Sequence, residues 1–194
     1  MNKQSLMTAL VIDTNDPDKL GRVLITLPAL PDGPAIWARV VSPLAGQDRG
    51  QCFLPEIEDE VLAAFTQGDL SSAYILGGLW GKQKLPPDDI GGGQNDIKQI
   101  KTRAGHIISL NDCEDKECIT IIDKNENSIV IATSEDSITI TSKSKLMLVA
   151  DGDITLSGNT IKLNADTIEI KSDSSLVLDG GGSADLKAGT VNIN

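Results

Sequence analysis

The sequence predicts an all-β protein in two parts, a small barrel followed by a β-helical tail. Three observations support this fold class. The first 80 residues contain short apolar runs between clusters of Pro, Gly and Asp, residues that end strands and form turns. The second half repeats a triplet of two apolar residues around a variable one. Aromatic residues make up only 3% of the 194 residues, whereas a globular enzyme core normally uses more of them.

Five strands are predicted in the N-terminal part. They are Leu6–Asp13, Gly21–Leu27, Ala35–Val41, Val61–Thr66 and Ala73–Leu79. Five short strands joined by polar turns indicate a closed barrel, and an OB-like barrel fits this count. Residues 1–80 are therefore predicted to form one barrel domain, with Trp37 and Trp80 packed in it.

A change of composition follows the barrel. Residues 81–99 contain paired prolines, paired aspartates and three consecutive glycines, which is typical of a linker. A segment this short has no room for a further enzyme domain. Residues 100–122 are predicted to form a hairpin that acts as a neck, and residues 123–194 contain the repeat.

The repeat consists of nine apolar–x–apolar triplets at successive offsets of 9, 8, 8, 7, 7, 8, 8 and 7 residues. In a strand, the two outer residues of a triplet point to one face and the middle residue points to the other. The outer residues are nearly all Ile, Leu or Val. The smaller Ala184 is the exception, and the other seventeen are Ile129, Ile131, Ile138, Ile140, Leu146, Leu148, Ile154, Leu156, Ile161, Leu163, Ile168, Ile170, Leu176, Leu178, Leu186, Val191 and Ile193.

The length of the repeat restricts how it can coil. Units of about eight residues supply one side of a triangle, whereas a full turn of a single-chain β-helix takes about twenty. The spacing leaves two arrangements open: three successive units of one chain form a turn, or three chains wind together. In the second arrangement folding and trimerisation are one event, because a lone chain would expose its apolar stripe.

Five segments of the first 122 residues occur in a characteristic order. They are Asp16–Val23, Trp37–Gly46, Asp48–Leu62, Tyr74–Trp80 and Lys101–His106. Together they closely resemble the OB-fold and neck of VgrG and of phage baseplate assembly protein V. These are the central spike proteins of contractile injection systems.

The resemblance implies an N-terminal OB-fold collar followed by an intertwined homotrimeric triangular β-helix, the spike. The outer triplet residues would then form the trimer core. It also implies a structural role: the spike sits on a baseplate hub protein at the end of the tail tube. Sheath contraction then drives the spike through the target cell envelope.

Two departures from the family imply further partners. The sequence carries no large hub domain before the barrel, so the hub is expected to be a separate protein. Short phage spikes often end in a His-x-His iron-binding tip, and Gly189–Asn194 has no such motif. A separate PAAR-like tip protein is therefore expected at the C-terminal end.

No catalytic, cofactor-binding or metal-binding set is predicted, and the protein is expected not to be an enzyme. His106 is the only histidine and is expected to be a turn residue, because a transition-metal site needs several ligands. The acidic run from Glu56 to Glu60 is expected to be a solvated loop. Cys52, Cys113 and Cys118 are expected to be free thiols, since three cysteines form no disulfide framework.

The charge and the motifs leave several function classes to compare. A formal net charge of −11 argues against a nucleic-acid partner, since phosphate binding relies on Lys and Arg. The alternatives to a phage-tail spike are the spike of a phage-derived extracellular injection or type VI-like secretion system, and a β-helical polysaccharide-degrading enzyme. The chain is expected to assemble in the cytoplasm and to become part of a virion tail baseplate or an injection particle.

Overall fold

The computed structural model describes residues 6–66, 69–87 and 93–192, and divides the chain into two compact units, Met1–Lys143 and Ser144–Asn194. All strands of the described residues lie in the first unit. They are β1 (Leu6–Asp13), β2 (Arg22–Thr26), β3 (Ile36–Val40), β4 (Ala45–Gly46), β5 (Arg49–Gly50), β6 (Glu60–Phe65), β7 (Ala73–Gly78), β8 (Ile97–Lys101), β9 (Ile107–Asn111), β10 (Cys118–Ile122), β11 (Ser128–Ala132) and β12 (Ser137–Thr141).

The N-terminal strands close into a five-stranded barrel in the order β1-β2-β3-β7-β6. All neighbouring pairs are antiparallel except β3 and β7, which run parallel. All five predicted barrel strands are present, within one or two residues of their predicted bounds. The sequence did not predict the small β4–β5 hairpin, which lies outside the barrel.

The barrel core is small and almost entirely aliphatic. Alternate residues of each strand point inward, so the burial pattern follows the two-residue period of a strand. Phe65 is the single aromatic residue among the buried hydrophobic side chains. The buried set is Ala9, Val11, Val23, Ile25, Leu27, Ile36, Ala38, Val61, Ala63, Phe65, Ala73 and Ile75.

A buried carboxylate fixes the turn between β1 and β2. The Asp16 side chain is only 5% exposed and accepts hydrogen bonds from the backbone N–H groups of Asp18, Leu20 and Arg22. The Arg22 guanidinium lies 2.7 Å from Asp16 Oδ1 and 5.6 Å from the centre of the Trp37 ring. One ion pair thus connects the turn to β2 and, through the ring, to β3.

The remaining long strands form an antiparallel sheet in the order β12-β11-β10-β9-β8. This sheet extends at both ends beyond the predicted neck hairpin at 100–122. β8 begins inside the predicted linker, and the first two triplets form the centres of β11 and β12. Tight turns reverse the chain after each strand, so these units pair with their sequence neighbours.

The second unit has a different character. Across residues 142–192 the structure contains bends and turns but neither helix nor strand, and every one of these residues is exposed. The seven triplets from Leu146 onward lie in this segment, except for Ile193, which is outside the described residues. A β-helical coil is therefore not formed by this part of a single chain.

The Asp16–Arg22 pair predicts an acid-sensitive barrel. The pKa of Asp16 lies well below its usual value of 3.8, and the main cause is the hydrogen bond from the Arg22 side chain. The folded state therefore binds fewer protons than the unfolded state, and the stabilisation present above pH 3.8 is lost as the pH falls below it. We expect Asp16→Asn to lower the melting temperature at pH 7 and to flatten its decline below pH 4 (about the usual Asp pKa).

The matched control for this experiment is Asp18→Asn. Asp18 contacts the same guanidinium, but its side chain is 63% exposed, so this substitution should change the melting curve much less. Equal melting temperatures for wild type and Asp16→Asn across the acid range would contradict the role assigned to Asp16.

Candidate assembly surface

The five-stranded sheet places two rows of aliphatic side chains on one face. Residues opposite each other across neighbouring strands share a face, and so do residues two apart along a strand. The first row is Ile100, Ile108, Ile121, Ile129 and Ile140. The second row is Lys98, Leu110, Ile119, Ile131 and Ile138. We call these ten residues the aliphatic face.

The aliphatic face is exposed in the single chain. Its nine apolar members have between 40% and 70% of their surface open to solvent. Soluble proteins rarely leave an apolar patch of this size uncovered unless it binds something. The opposite face is mixed, since Thr120, Val130 and Thr139 form its central row with Gln99 and Ser109.

The single lysine of the aliphatic face lies at its border. Lys98 Nζ is 2.7 Å from Asp112 Oδ2, so its charge is paired at the start of the β9–β10 turn. β8 also carries Lys101, and charged residues on an edge strand oppose the addition of another strand. β12 has no charged residue between Ser137 and Thr141. Of the two sheet edges, β12 is therefore the one suited to accept a further strand.

An aspartate turn fixes the exit from β12. The Asp123 carboxylate accepts hydrogen bonds from the backbone of Asn125 and from both the backbone and side chain of Asn127. Asn127 Oδ1 in turn accepts the Lys143 N–H at 2.9 Å, and Lys143 Nζ lies 2.7 Å from Glu126. The β10–β11 turn thus holds the residue at which the first unit ends.

This turn network also perturbs two carboxylates. The hydrogen bond from the Asn127 side chain is the main cause that lowers the pKa of Asp123. The hydrogen bond from Lys143 lowers the pKa of Glu126. Both shifts favour the charged carboxylate, which is the form that accepts these hydrogen bonds.

The apolar triplets continue along the sequence beyond Lys143. The outer triplet residues from Leu146 to Val191 are between 52% and 77% exposed, except Ala184, the small residue of the weakest triplet. These residues meet no strand of their own chain across the described part of this segment. Ile129, Ile131, Ile138 and Ile140, the first four residues of the predicted trimer core, lie together on the aliphatic face.

Sequence reasoning missed five members of the same face. Ile100, Ile108, Leu110, Ile119 and Ile121 were assigned to the neck, although the alternation that exposes them is readable as Ile100–x₇–Ile108–x–Leu110 and Ile119–x–Ile121. These five residues precede residue 123, at which the segment predicted to contain the repeat begins. The aliphatic face therefore starts some thirty residues before the predicted repeat.

The other residues singled out in the sequence lie apart from this face. His106 closes the β8–β9 turn, where its carbonyl accepts the Thr102 N–H. Cys52, Cys113 and Cys118 are free thiols. Glu56 and Asp59 belong to an exposed loop and pair with Arg103 and Lys84.

The comparison with protein families identifies the barrel. The model of the type VI secretion system/phage-baseplate injector OB domain matches residues 7–80. Residues 7–80, which are less than half of the chain, are therefore similar to this OB domain. The match begins at the second residue of β1 and ends two residues after β7, so it spans the closed barrel. The comparison with curated proteins finds no match to the chain. Within the described residues, no helix has the length and apolar character needed to cross a membrane.

The turn network yields a local prediction. Asn127→Ala removes a side-chain donor to Asp123 and the acceptor of the Lys143 N–H. We expect the free energy of opening at Lys143 to fall by about 1–3 kcal/mol, at about 0.5–1.5 kcal/mol per hydrogen bond. Amide hydrogen exchange of residues 118–143 measures this loss.

Asn125→Ala is the matched control, because the Asn125 side chain contributes none of the three bonds to Asp123 and only its backbone N–H is used. Its exchange pattern should equal that of the wild type. If the Lys143 amide of Asn127→Ala were as protected from hydrogen exchange as in the wild type, Asn127 would not be what fixes the chain after β12.

Proposed function

We propose that this chain is the structural central spike of a contractile injection machine and that it works as a homotrimer. The observation that carries the proposal is the exposed aliphatic face of the five-stranded sheet, together with the exposed apolar triplets that follow it in the sequence. The injector OB domain at the N-terminal end supports the placement at a baseplate, next to a hub protein. The tail forms the spike, and a tip protein caps its far end.

The magnitude of the apolar burial favours an assembly that includes the tail. Full burial of an Ile or Leu side chain is worth about 1.5–3 kcal/mol, so covering the exposed half of one contributes roughly 1 kcal/mol. The nine apolar residues of the aliphatic face then supply on the order of 10 kcal/mol per copy. Association itself costs about 4–15 kcal/mol. For the sheet alone, the free energy gained by apolar burial is therefore close to the free-energy cost of association. Burial of the tail residues as well would make the trimer strongly favourable.

Strand pairing favours three chains over one. In a single-chain coil, units three apart would stack and hydrogen-bond within the chain. Residues 144–192 form no such pairs. In a three-chain coil each unit pairs with units of the other two copies, and the uncharged β12 edge offers the first position for such pairing. The arrangement also places Ile and Leu on the axis and the polar middle residues outside.

The spike acts by stiffness and shape, and no catalytic step is assigned to it. In this proposal, a rigid trimer is carried at the end of the tail tube and pushed through the target cell envelope. The phage tail is the first candidate for the parent machine, with the extracellular and type VI-like systems as the alternatives.

An adjacent pair of substitutions on β12 tests the trimer. Ile140→Asp places a charge on the aliphatic face, where trimerisation would bury it, and we expect the protein to sediment as a monomer or to aggregate. Thr139→Asp places the same charge on the opposite face and should keep the wild-type mass of three 20.5 kDa chains. A wild-type chain that sediments as a folded monomer would falsify the proposal.

The role in the machine needs a separate experiment on contractile particles from the producing cells. Cryo-electron microscopy should show density for three copies at the baseplate centre, and deletion of the gene should leave particles that contract but do not penetrate target cells. Penetration at the wild-type rate without this chain would contradict a spike role. Release of sugar from capsule polysaccharide or peptidoglycan by the purified chain would favour the enzyme alternative.

A further inference from the structure

Three large apolar side chains are exposed where the barrel meets the sheet. Phe53 and Trp80 are each 66% exposed and Leu85 is 76% exposed. The chain has five aromatic residues in all, and two of them stand open at this one place. They line a groove together with Leu54, Leu79 and the sheet residue Ile100. We call Phe53, Trp80 and Leu85 the junction patch.

The backbone holds the junction patch in position. The Leu79 N–H donates to the Glu60 carbonyl at 2.8 Å, so the residue before Trp80 is tied to β6. Gly81 and Lys84 exchange two backbone hydrogen bonds, and Lys84 Nζ donates to the Glu58 carbonyl at 2.7 Å. The Trp80 ring is thus presented by a fixed loop. Presentation of a rigid aromatic side chain lowers the entropic cost of binding.

The charges around the groove neutralise each other within one copy. Arg103 Nη1 is 2.8 Å from Glu56 Oε2, and Lys84 Nζ is 3.3 Å from Asp59 Oδ1. An occupant of the groove therefore needs no compensating charge. Copies with a net charge of −11 repel one another in general, so a contact between them is cheapest where the local charges are already paired.

Ile100 connects the junction patch to the aliphatic face. It is the β8 member of the first aliphatic row and also lines the groove that holds Trp80. The apolar surface therefore continues from the sheet onto the base of the barrel. Whatever covers the sheet at Ile100 also comes within reach of Trp80.

We propose that the junction patch packs against a second copy of this chain and forms a collar contact separate from the spike. This inference rests on the proposed trimer and adds to it a contact at the barrel base. Tryptophan and other aromatic anchors commonly contribute most of the energy of such contacts. The injector OB domain would then take part in trimerisation directly.

Tryptophan fluorescence tests the contact in the full chain. In Trp37→Phe, Trp80 is the only tryptophan and reports its own environment. We expect a blue-shifted emission and acrylamide quenching at least about threefold weaker than for free tryptophan in solution, since a packed indole is shielded from solvent. Sedimentation of the same sample establishes whether the trimer is present.

The outcomes separate this inference from the proposed function. A trimer in which Trp80 is quenched as fast as free tryptophan overturns the collar contact and leaves the spike trimer standing. A folded monomer overturns both. If Trp37→Phe does not fold, the wild-type chain labelled with 5-fluorotryptophan gives the same comparison, with the Trp80 resonance assigned from Trp80→Phe.

A matched substitution provides the second readout. Trp80→Glu should lower the melting temperature of the trimer, because it places a charge in the contact. Leu20→Glu introduces the same charge at a site of 72% exposure outside the junction patch and should leave the melting temperature unchanged. Equal melting temperatures for Trp80→Glu and wild type contradict the collar contact.

Discussion

The alternation of side chains along a strand is the constraint on which the rest of this molecule depends. It fills the barrel with alternate residues of five strands and leaves one small, closed core. In the five-stranded sheet, the same alternation places nine apolar residues of β8 to β12, including the outer residues of the triplets at 129–131 and 138–140, on a single face. Because the antiparallel register between β8 and β12 has no slip, all of these residues line up in two straight rows. The nine apolar residues of these rows are between 40% and 70% exposed, and the proposed trimer is the assembly that would cover them.

The barrel is the part of the fold that the sequence predicts best. Strong period-two patterns between Pro, Gly and Asp clusters located all five strands, and the closed barrel confirms the OB-like count. The family match at residues 7–80 confirms the resemblance that the motifs indicated. The β4–β5 hairpin was missed, since its four residues bury nothing and leave no apolar pattern.

The tail and the junction are harder to derive from sequence. Trp80 was expected to pack in the barrel, but it lies two residues beyond the end of β7 and is 66% exposed, whereas the barrel core is filled by aliphatic side chains and Phe65. The sequence pattern indicates only that position 80 is apolar, and the fold is needed to show that Trp80 lies outside the barrel core. Likewise the triplets at 129–131 and 138–140 share their apolar pattern with the tail units. What separates them is the turn chemistry of Asp123, Asn127 and Asp136, which reverses the chain.

The order of the two parts along the chain has a consequence for biosynthesis. The barrel has a self-contained core and lies in the first half of the chain, so it is complete while the ribosome is still translating the tail. The apolar triplets of the tail leave the ribosomal exit tunnel last. In the proposed trimer, nascent chains would meet only after their barrels have folded, which shortens the time for which the exposed apolar residues of the tail can associate wrongly.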